Sequence, residues 1–310
     1  MISVIIVNYN KKDLLRRCLD SIRGQSFQDI EVIVVDNAST DDSVEVLGAY
    51  YPEARLIRNT RNLLFCRAYN QGIEISKGNF ILCMNNDVEL EKDYLKEAFS
   101  AIGKDEKIGM VSGKILRMDK RTIDSTGLFL GRSRKAIERG YGKLDRGQYD
   151  EPGYIFGVSG SCAFFRRRML EEIRDENGYF DERFGMYYED LDLCWRAQKK
   201  GWKAYYNPKA VAYHVRGGTA ITDRKRQQSQ RCRCRAGLNL PYISDELKRR
   251  YIKNRHMCIK KNDTLAGYIA NLPFIIAYDI KIRSFILLCL IFKRINLTIG
   301  IKNSIISPWR

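Results

Sequence analysis

Residues 32–41 read VIVVDNASTD. Four apolar, mostly β-branched side chains in a row suit a strand covered on both faces, and the abrupt change at Asp36 to polar, turn-forming residues marks its end. The same pattern occurs twice more. Ser3–Val7 runs into Asn8, Tyr9 and Asn10, and Phe80–Met84 runs into Asn85, Asn86 and Asp87. Arg55–Ile57 reads as a further short strand. Between these runs, apolar residues recur at helical spacing: Leu14, Leu15, Cys18, Leu19 and Ile22; Val44, Val46 and Leu47; Ala68, Ile73 and Ile75; Tyr94, Leu95, Ala98, Phe99 and Ile102. Strand and helix alternating in this way predict an α/β fold with a mostly parallel central sheet and right-handed crossovers. Ligands of such sheets bind beyond the carboxyl ends of the strands. Asp41 or Asp42 could serve only as a helix cap, but capping does not account for three polar clusters at one sheet edge.

The bulk composition narrows the alternatives. In 310 residues, 45% hydrophobic and 29% charged, there is material for one large core or two modest ones. A formal net charge of +17 favours polyanionic partners: nucleic acid, anionic lipid or phosphorylated substrates. Nine cysteines, an odd number scattered from Cys18 to Cys289, include no pair of C-x-x-C motifs. They read as reduced, mostly buried residues of a cytosolic protein. The first ten residues, MISVIIVNYN, lack a basic leader and cleavage site and read as a buried strand rather than a signal peptide. No G-x-G-x-x-G follows the first strand and no P-loop occurs, which speaks against a dinucleotide or P-loop site.

Further along, Ile108–Leu116 and Tyr154–Phe165 read as strand-forming, and a helix is expected around Met169–Ile173. Glu189–Lys199 reads as a helix whose acidic start suits its positive end. Val211–Val215, containing His214, reads as a last strand. Beyond Arg216 the composition turns basic, with arginines and lysines through 224–235 and 248–250, then apolar from Leu265 to Phe292. The expected division is 1–222, catalytic, and 223–310, a basic and apolar helical extension. A nucleic-acid-binding module is disfavoured, because no zinc-finger, RNP or helix-turn-helix pattern accompanies the charge and the basic run lacks interleaved aromatics.

Taken in order, SVIIVNYN, VIVVDNASTD, NLLFCRAYNQG, ILCMNNDV, GVSGSCAFFRR, FDERFGMYYEDLDLCWRAQKKGW and AVAYHVRGG resemble the family-2 glycosyltransferases. The likeness covers roughly residues 1–220 and is nearest to the rhamnosyltransferase-like bacterial branch. It implies a GT-A fold and inverting transfer of a sugar from a nucleoside diphosphate donor, dTDP-rhamnose rather than a UDP-hexose. It also implies a divalent cation, Mg²⁺ or Mn²⁺, and a glycan or lipid-linked acceptor in cell-surface polysaccharide synthesis.

Chemistry of that kind needs charge stabilisation at the leaving diphosphate and a base for the acceptor hydroxyl. Asp87, at a strand end, is the candidate metal carboxylate. The family usually writes D-x-D here, and Asn85 holds the first position. His214 stands where relatives supply another metal ligand. Glu189, Asp190 and Asp192 are three candidate carboxylates at one helix start. The resemblance implies that Asp190 is the base, and Asp192 can pair with Arg196 four residues on. The donor set comprises Asn8, Asn10, Asp36, Asn62, Arg67, Asn70, Asn85 and Asn86, with Arg67 able to meet either phosphate or a surface acid. Leu64 stands where relatives usually carry glycine.

The apolar C-terminal stretch is interrupted by Asp279, Lys281 and Arg283, leaving Ser284–Phe292 short of the about 20 residues a spanning helix needs. With basic residues around it, the segment is expected to lie on the anionic inner face of the cell membrane. The alternative is a helical pair packed on the catalytic domain.

Overall fold

The computed structural model describes residues 1–215 and 244–298, with side chains to residue 286. The first half alternates as its sequence dictates: β1 (Ile2–Asn8), α1 (Lys12–Arg23), β2 (Ile30–Asp36), α2 (Ser43–Tyr50), β3 (Arg55–Arg58), α3 (Leu64–Ile75) and β4 (Phe80–Asn85). β1 pairs in parallel with both β2 and β4, and β2 with β3. The register sets Asn8 beside Asp36 and Val7 beside Asn85, so the polar residues after three strands share one edge.

The second half is less regular. β5 (Val88–Leu90), α4 (Tyr94–Ile102), β6 (Ile108–Arg117), β7 (Ile123–Ser125), β8 (Leu128–Leu130), β9 (Ala136–Glu138), β10 (Gly153–Ile155), β11 (Cys162–Arg166), α5 (Arg167–Ile173), α6 (Glu189–Lys199) and β12 (Lys203–His214) follow. The sheet order is β10-β12-β6-β11-β4-β1-β2-β3, with β5 on β12 and β7 on β6. β11 runs antiparallel between β4 and β6, so the sheet is mixed rather than uniformly parallel. The expected single strand over 154–165 is two strands, β10 and β11. The loop 156–161 between them reaches the site edge.

Strand side chains alternate between two apolar layers. Ile5, Ile33 and Val35 join α3, α5 and α6 on one face. Ile2, Val4, Ile6 and Val34 meet α1, α2 and α4 on the other. With both faces covered, the α/β/α sandwich accounts for the unbroken apolar strands.

Two helices complete the described chain: α7 (Asp245–Asn262) and α8 (Leu265–Thr298). The expected boundary at 222 and the 224–235 basic run lie outside the described residues. Tyr251 and Cys258 join the same apolar layer as α6, and Asn254, Arg255 and Asn262 are each 1% exposed. Three basic residues of α7 are engaged within the protein. Lys248 pairs with Asp245, Arg255 with Asp279, and Lys261 with Asp175, Asp181 and Asp192.

α8 continues unbroken through Asp279, Lys281 and Arg283. By length and composition Leu265–Ile286 could cross a membrane, a test that core helices of soluble proteins also pass. Ile275 and Ile282 face the protein, while Leu265, Ile269, Ile276 and Ile280 are exposed.

Candidate active site

At the strand edge, the Asn8 amide donates to Asp36 Oδ2 at 3.0 Å and accepts from Asn86 Nδ2 at 2.7 Å. Asp36 Oδ1 receives the Ser39 backbone N–H at 2.8 Å, which closes the turn after β2. Asn10 Oδ1 receives the Thr40 N–H at 2.7 Å and links the turns after β1 and β2. Asn8, Asp36 and Asn86 are buried, so their mutual bonds hold polar groups that would otherwise lose water without compensation. The arrangement is a rigid polar floor.

The metal candidates meet by strand pairing. β12 lies against β5 with His214 opposite Val88, which brings the ring beside Asp87. His214 Nε2 is 3.2 Å from Asp87 Oδ1, and its Nδ1 is 2.8 Å from Asp124 Oδ2. Burial opposes a charge on this imidazole, but Asp87 and Asp124 outweigh it and raise its pKa well above the ordinary value. The 3.2 Å contact is a direct pairing of the two groups, and a cation shared by them would have to displace the ring proton. Neighbouring ligands of an octahedral ion at about 2.0–2.1 Å lie about 3 Å apart, so the two need move little to hold one. A carboxylate behind the other ring nitrogen is the usual support of a ligating histidine. Among the described residues no three His, Cys, Asp or Glu groups form a ready-made cage. Other ligands would come from substrate phosphate and water, as is usual for Mg²⁺. Asp124 carries no sequence motif and was not foreseen.

Asp190 is the second residue of α6. Its Oδ2 accepts the Gly160 N–H at 3.0 Å and its Oδ1 the Leu191 N–H at 2.7 Å. The neighbouring Ser161 carbonyl accepts the Asn85 N–H at 2.9 Å. The loop 156–161 thus joins the start of α6 to the end of β4, and with it Asp190 to the Asn85–Asp87 segment. Ser159 Oγ donates to Glu138 Oε1 at 2.9 Å and brings β9, also unforeseen, to this loop.

Glu189 is buried, and among the described residues its Oε2 has no hydrogen-bond partner. Burial first, then the charge of Asp190, pushes its pKa well above the usual carboxylate range, which favours a neutral acid there. Asp192 pairs with Arg196 at 2.9 Å as expected, and also receives Asn262 at 2.7 Å.

Three residues of the expected donor set make bonds of their own outside this cluster. Both ends of the Asn70 amide bind the backbone of Phe180, at 2.8 and 2.9 Å, so the side chain anchors the segment leading to α6. Asn62 Oδ1 closes a local turn with the Leu64 N–H at 2.9 Å. Arg67 lies 4.0 Å from Glu182, an exposed pairing worth little.

Strain concentrates around the site. Of seven described non-glycine residues with positive φ, Asn10, Ala38, Leu64, Tyr187 and Tyr188 border it. Each left-handed L-residue costs roughly 1–2 kcal/mol, and such costs tend to be kept where function over-determines the backbone. Leu64, at φ 64°, holds a left-handed backbone that glycine would adopt without this cost.

A two-faced mixed sheet with its polar edge over strand ends, a carboxylate–histidine pair and an acidic helix start define a GT-A nucleotide-sugar-binding architecture. The glycosyl transferase family 2 model matches residues 3–174, and the chain belongs to that family. It is similar to the amylovoran biosynthesis glycosyltransferase AmsB of Erwinia amylovora, at 29% identity over 69% of each chain. It also resembles an N-acetylglucosaminyl-diphospho-decaprenol L-rhamnosyltransferase of Mycobacterium tuberculosis, 26% identical over 69% of this chain and 76% of that one. Some relatives are far longer, and the chain spans 24% of a matching uncharacterized protein of Sinorhizobium fredii. Among solved structures, the mannosyltransferase PcManGT of Pyrobaculum calidifontis, in complex with GDP-Man and Mn²⁺, shares the fold. Its TM-score is 0.52, with 16% identity, 97% of this chain and 88% of that one covered.

Proposed function

We propose that this protein transfers a sugar, with inversion, from a nucleoside diphosphate donor to a hydroxyl of a glycan or lipid-linked acceptor in polysaccharide assembly. The observation that carries the reading is the loop 156–161, bonded to Asp190 at one residue and to the Asn85 backbone at the next. A base at Asp190 would then be tied to the strand edge where a donor would lie.

In the proposed step Asp190 takes the acceptor hydroxyl's proton. The oxygen forms a bond to the anomeric carbon from the face opposite the diphosphate. The bond to the diphosphate oxygen breaks, and its electron pair leaves with the nucleoside diphosphate. Asp87 and His214 are the residues that would hold Mg²⁺ or Mn²⁺. A cation bound there would neutralise the charge that develops on the leaving group. Asn8, Asn10, Asp36 and Asn86 would form the floor for the nucleoside, and Asn85, at the end of β4 between Met84 and Asn86, would face the donor beside them. A dTDP-sugar, rhamnose foremost, is favoured over a UDP-hexose by the sequence resemblance and by the name of the mycobacterial relative.

The protein would work at the inner face of the cell membrane, with α8 lying on an anionic surface. The support is its exposed stripe Leu265, Ile269, Ile276 and Ile280, together with exposed Lys281 and Arg283.

The deciding experiment screens dTDP- and UDP-sugars for Mn²⁺-dependent binding by calorimetry, then follows labelled sugar into a membrane extract. Failure of every donor to bind would end the proposal. For the membrane reading, the full chain should float with anionic liposomes and release in high salt. Sedimentation at low salt would refute that part alone.

A further inference from the structure

The turn before α6 has an unusual backbone. Gly185, Tyr187 and Tyr188 all have positive φ, at 65°, 73° and 72°. Tyr188 is the N-cap of α6, its side chain makes no capping bond, and its carbonyl receives the Asp192 N–H at 2.9 Å. The conformation of this turn therefore decides where α6 begins and where Asp190, two residues on, is aimed. Two consecutive left-handed tyrosines do not hold that shape by local preference.

The turn is gripped from two sides. The Gly185 carbonyl accepts the Phe65 and Cys66 N–H groups at the start of α3, at 3.1 and 3.3 Å. On the other side, Asn254 Nδ2 faces the carbonyls of Phe184, Met186 and Tyr187 at 2.8, 2.9 and 2.8 Å. An amide nitrogen has two hydrogens, so three acceptors must share them, a geometry that suits only a turn with all three oxygens converging. Asn254 is 1% exposed and lies on α7, about seventy residues away in sequence. Close by, Tyr188 donates to the Tyr251 hydroxyl at 3.0 Å, and Asn262 holds Asp192. An apolar residue would pack as well in that position. What it could not supply is the donor that Asn254 offers to the Met186 and Tyr187 carbonyls; the Phe184 carbonyl also accepts the Met186 N–H, at 2.7 Å.

We infer that Asn254 is a positioning residue for the transfer step: its amide fixes the left-handed turn 185–188 and so the direction of the Asp190 carboxylate. The inference rests on the reading of Asp190 as the base. It also gives α7 a task in the chemistry. The helix frames the catalytic turn from behind, while the donor floor is built without it.

The test is Asn254→Ala in the full chain, with Asp190→Asn measured beside it. Asn254→Ala should lower kcat by about ten- to a hundredfold, because a misplacement near 1 Å is costly. Affinity for UDP and dTDP, measured by calorimetry with Mn²⁺, should stay within about twofold, as expected when only transition-state alignment is lost. If kcat per folded enzyme is unchanged and only the melting temperature falls, Asn254 is merely structural and the inference is overturned. A parallel loss of nucleotide affinity and kcat overturns it too. If Asp190→Asn itself transfers normally, the base assignment fails and the inference falls with it. A dead Asp190→Asn beside a fully active Asn254→Ala overturns the positioning role alone. Should Asn254→Ala not fold, Asn254→Ser, which keeps one donor, is judged by the same two readouts.

Discussion

Replacing Asp190 by Asn changes one atom and separates two roles. In the structure Oδ2 accepts from Gly160 at 3.0 Å and Oδ1 from Leu191 at 2.7 Å. The amide can keep one of these bonds, and its NH₂ must then face the other N–H. An unmet buried donor costs about 1–3 kcal/mol, which lowers Tm by about 2–4 °C per kcal/mol in a domain of this size. The catalytic effect should be larger. Loss of a positioned base removes about 10²–10⁴ in kcat, about 3–5 kcal/mol of barrier. The assay follows labelled sugar from the bound donor into a membrane extract, with nucleotide affinity and thermal melting measured on the same preparation. Affinity should hold, melting should drop by a few degrees, and transfer should nearly vanish. A folded Asp190→Asn protein with kcat within about tenfold of wild type would refute the base assignment.

Other consequences can be checked in the same preparations. Asp87→Ala should weaken donor binding in Mn²⁺ and have much less effect in EDTA; wild-type transfer that is equal in EDTA would remove the cation from the mechanism. Asp124→Asn should lower Mn²⁺ affinity by about 10–100-fold through loss of support for His214, read by metal titration in the presence of UDP or dTDP. Lys261→Met should destabilise by about 1–3 kcal/mol, because Asp181 and Asp192 lose a shared cation yet keep Arg183 and Arg196. Burial works to raise the Asp181 pKa, but Arg183 and Lys261 overcome it and hold the group down to about 2. Its stabilisation is therefore present above the ordinary carboxylate pKa and lost as pH falls toward 2. In Lys261→Met the folded pKa moves back toward the ordinary carboxylate value, so this acid-dependent loss should be smaller and the fall in Tm at low pH shallower; melting curves from pH 6 to 2.5 that superimpose in shape on the wild type would contradict it.

The sequence by itself determined the α/β half of the molecule. Unbroken apolar runs need cover on both faces, and polar residues at their ends need one edge, so β1 to β4 and their helices were legible from patterning. The acidic start of α6 and the Asp192–Arg196 pair were legible for the same local reason, because helical spacing brings them together. Long-range pairing decided the rest. Asp124 supports His214 across ninety residues, and no motif marks a lone aspartate on a three-residue strand. Sequence suggests Asn70 as a donor contact, and only the fold shows both ends of its amide on the Phe180 backbone. The basic residues of α7 read as a lipid-facing cluster from composition, since charge alone does not reveal a partner. Tertiary structure turned Lys248, Arg255 and Lys261 toward acids and set Asn254 behind the catalytic turn. Local periodicity fixes what each segment becomes, whereas the partner of a buried polar group is set by which distant segments the packing brings within about 3 Å.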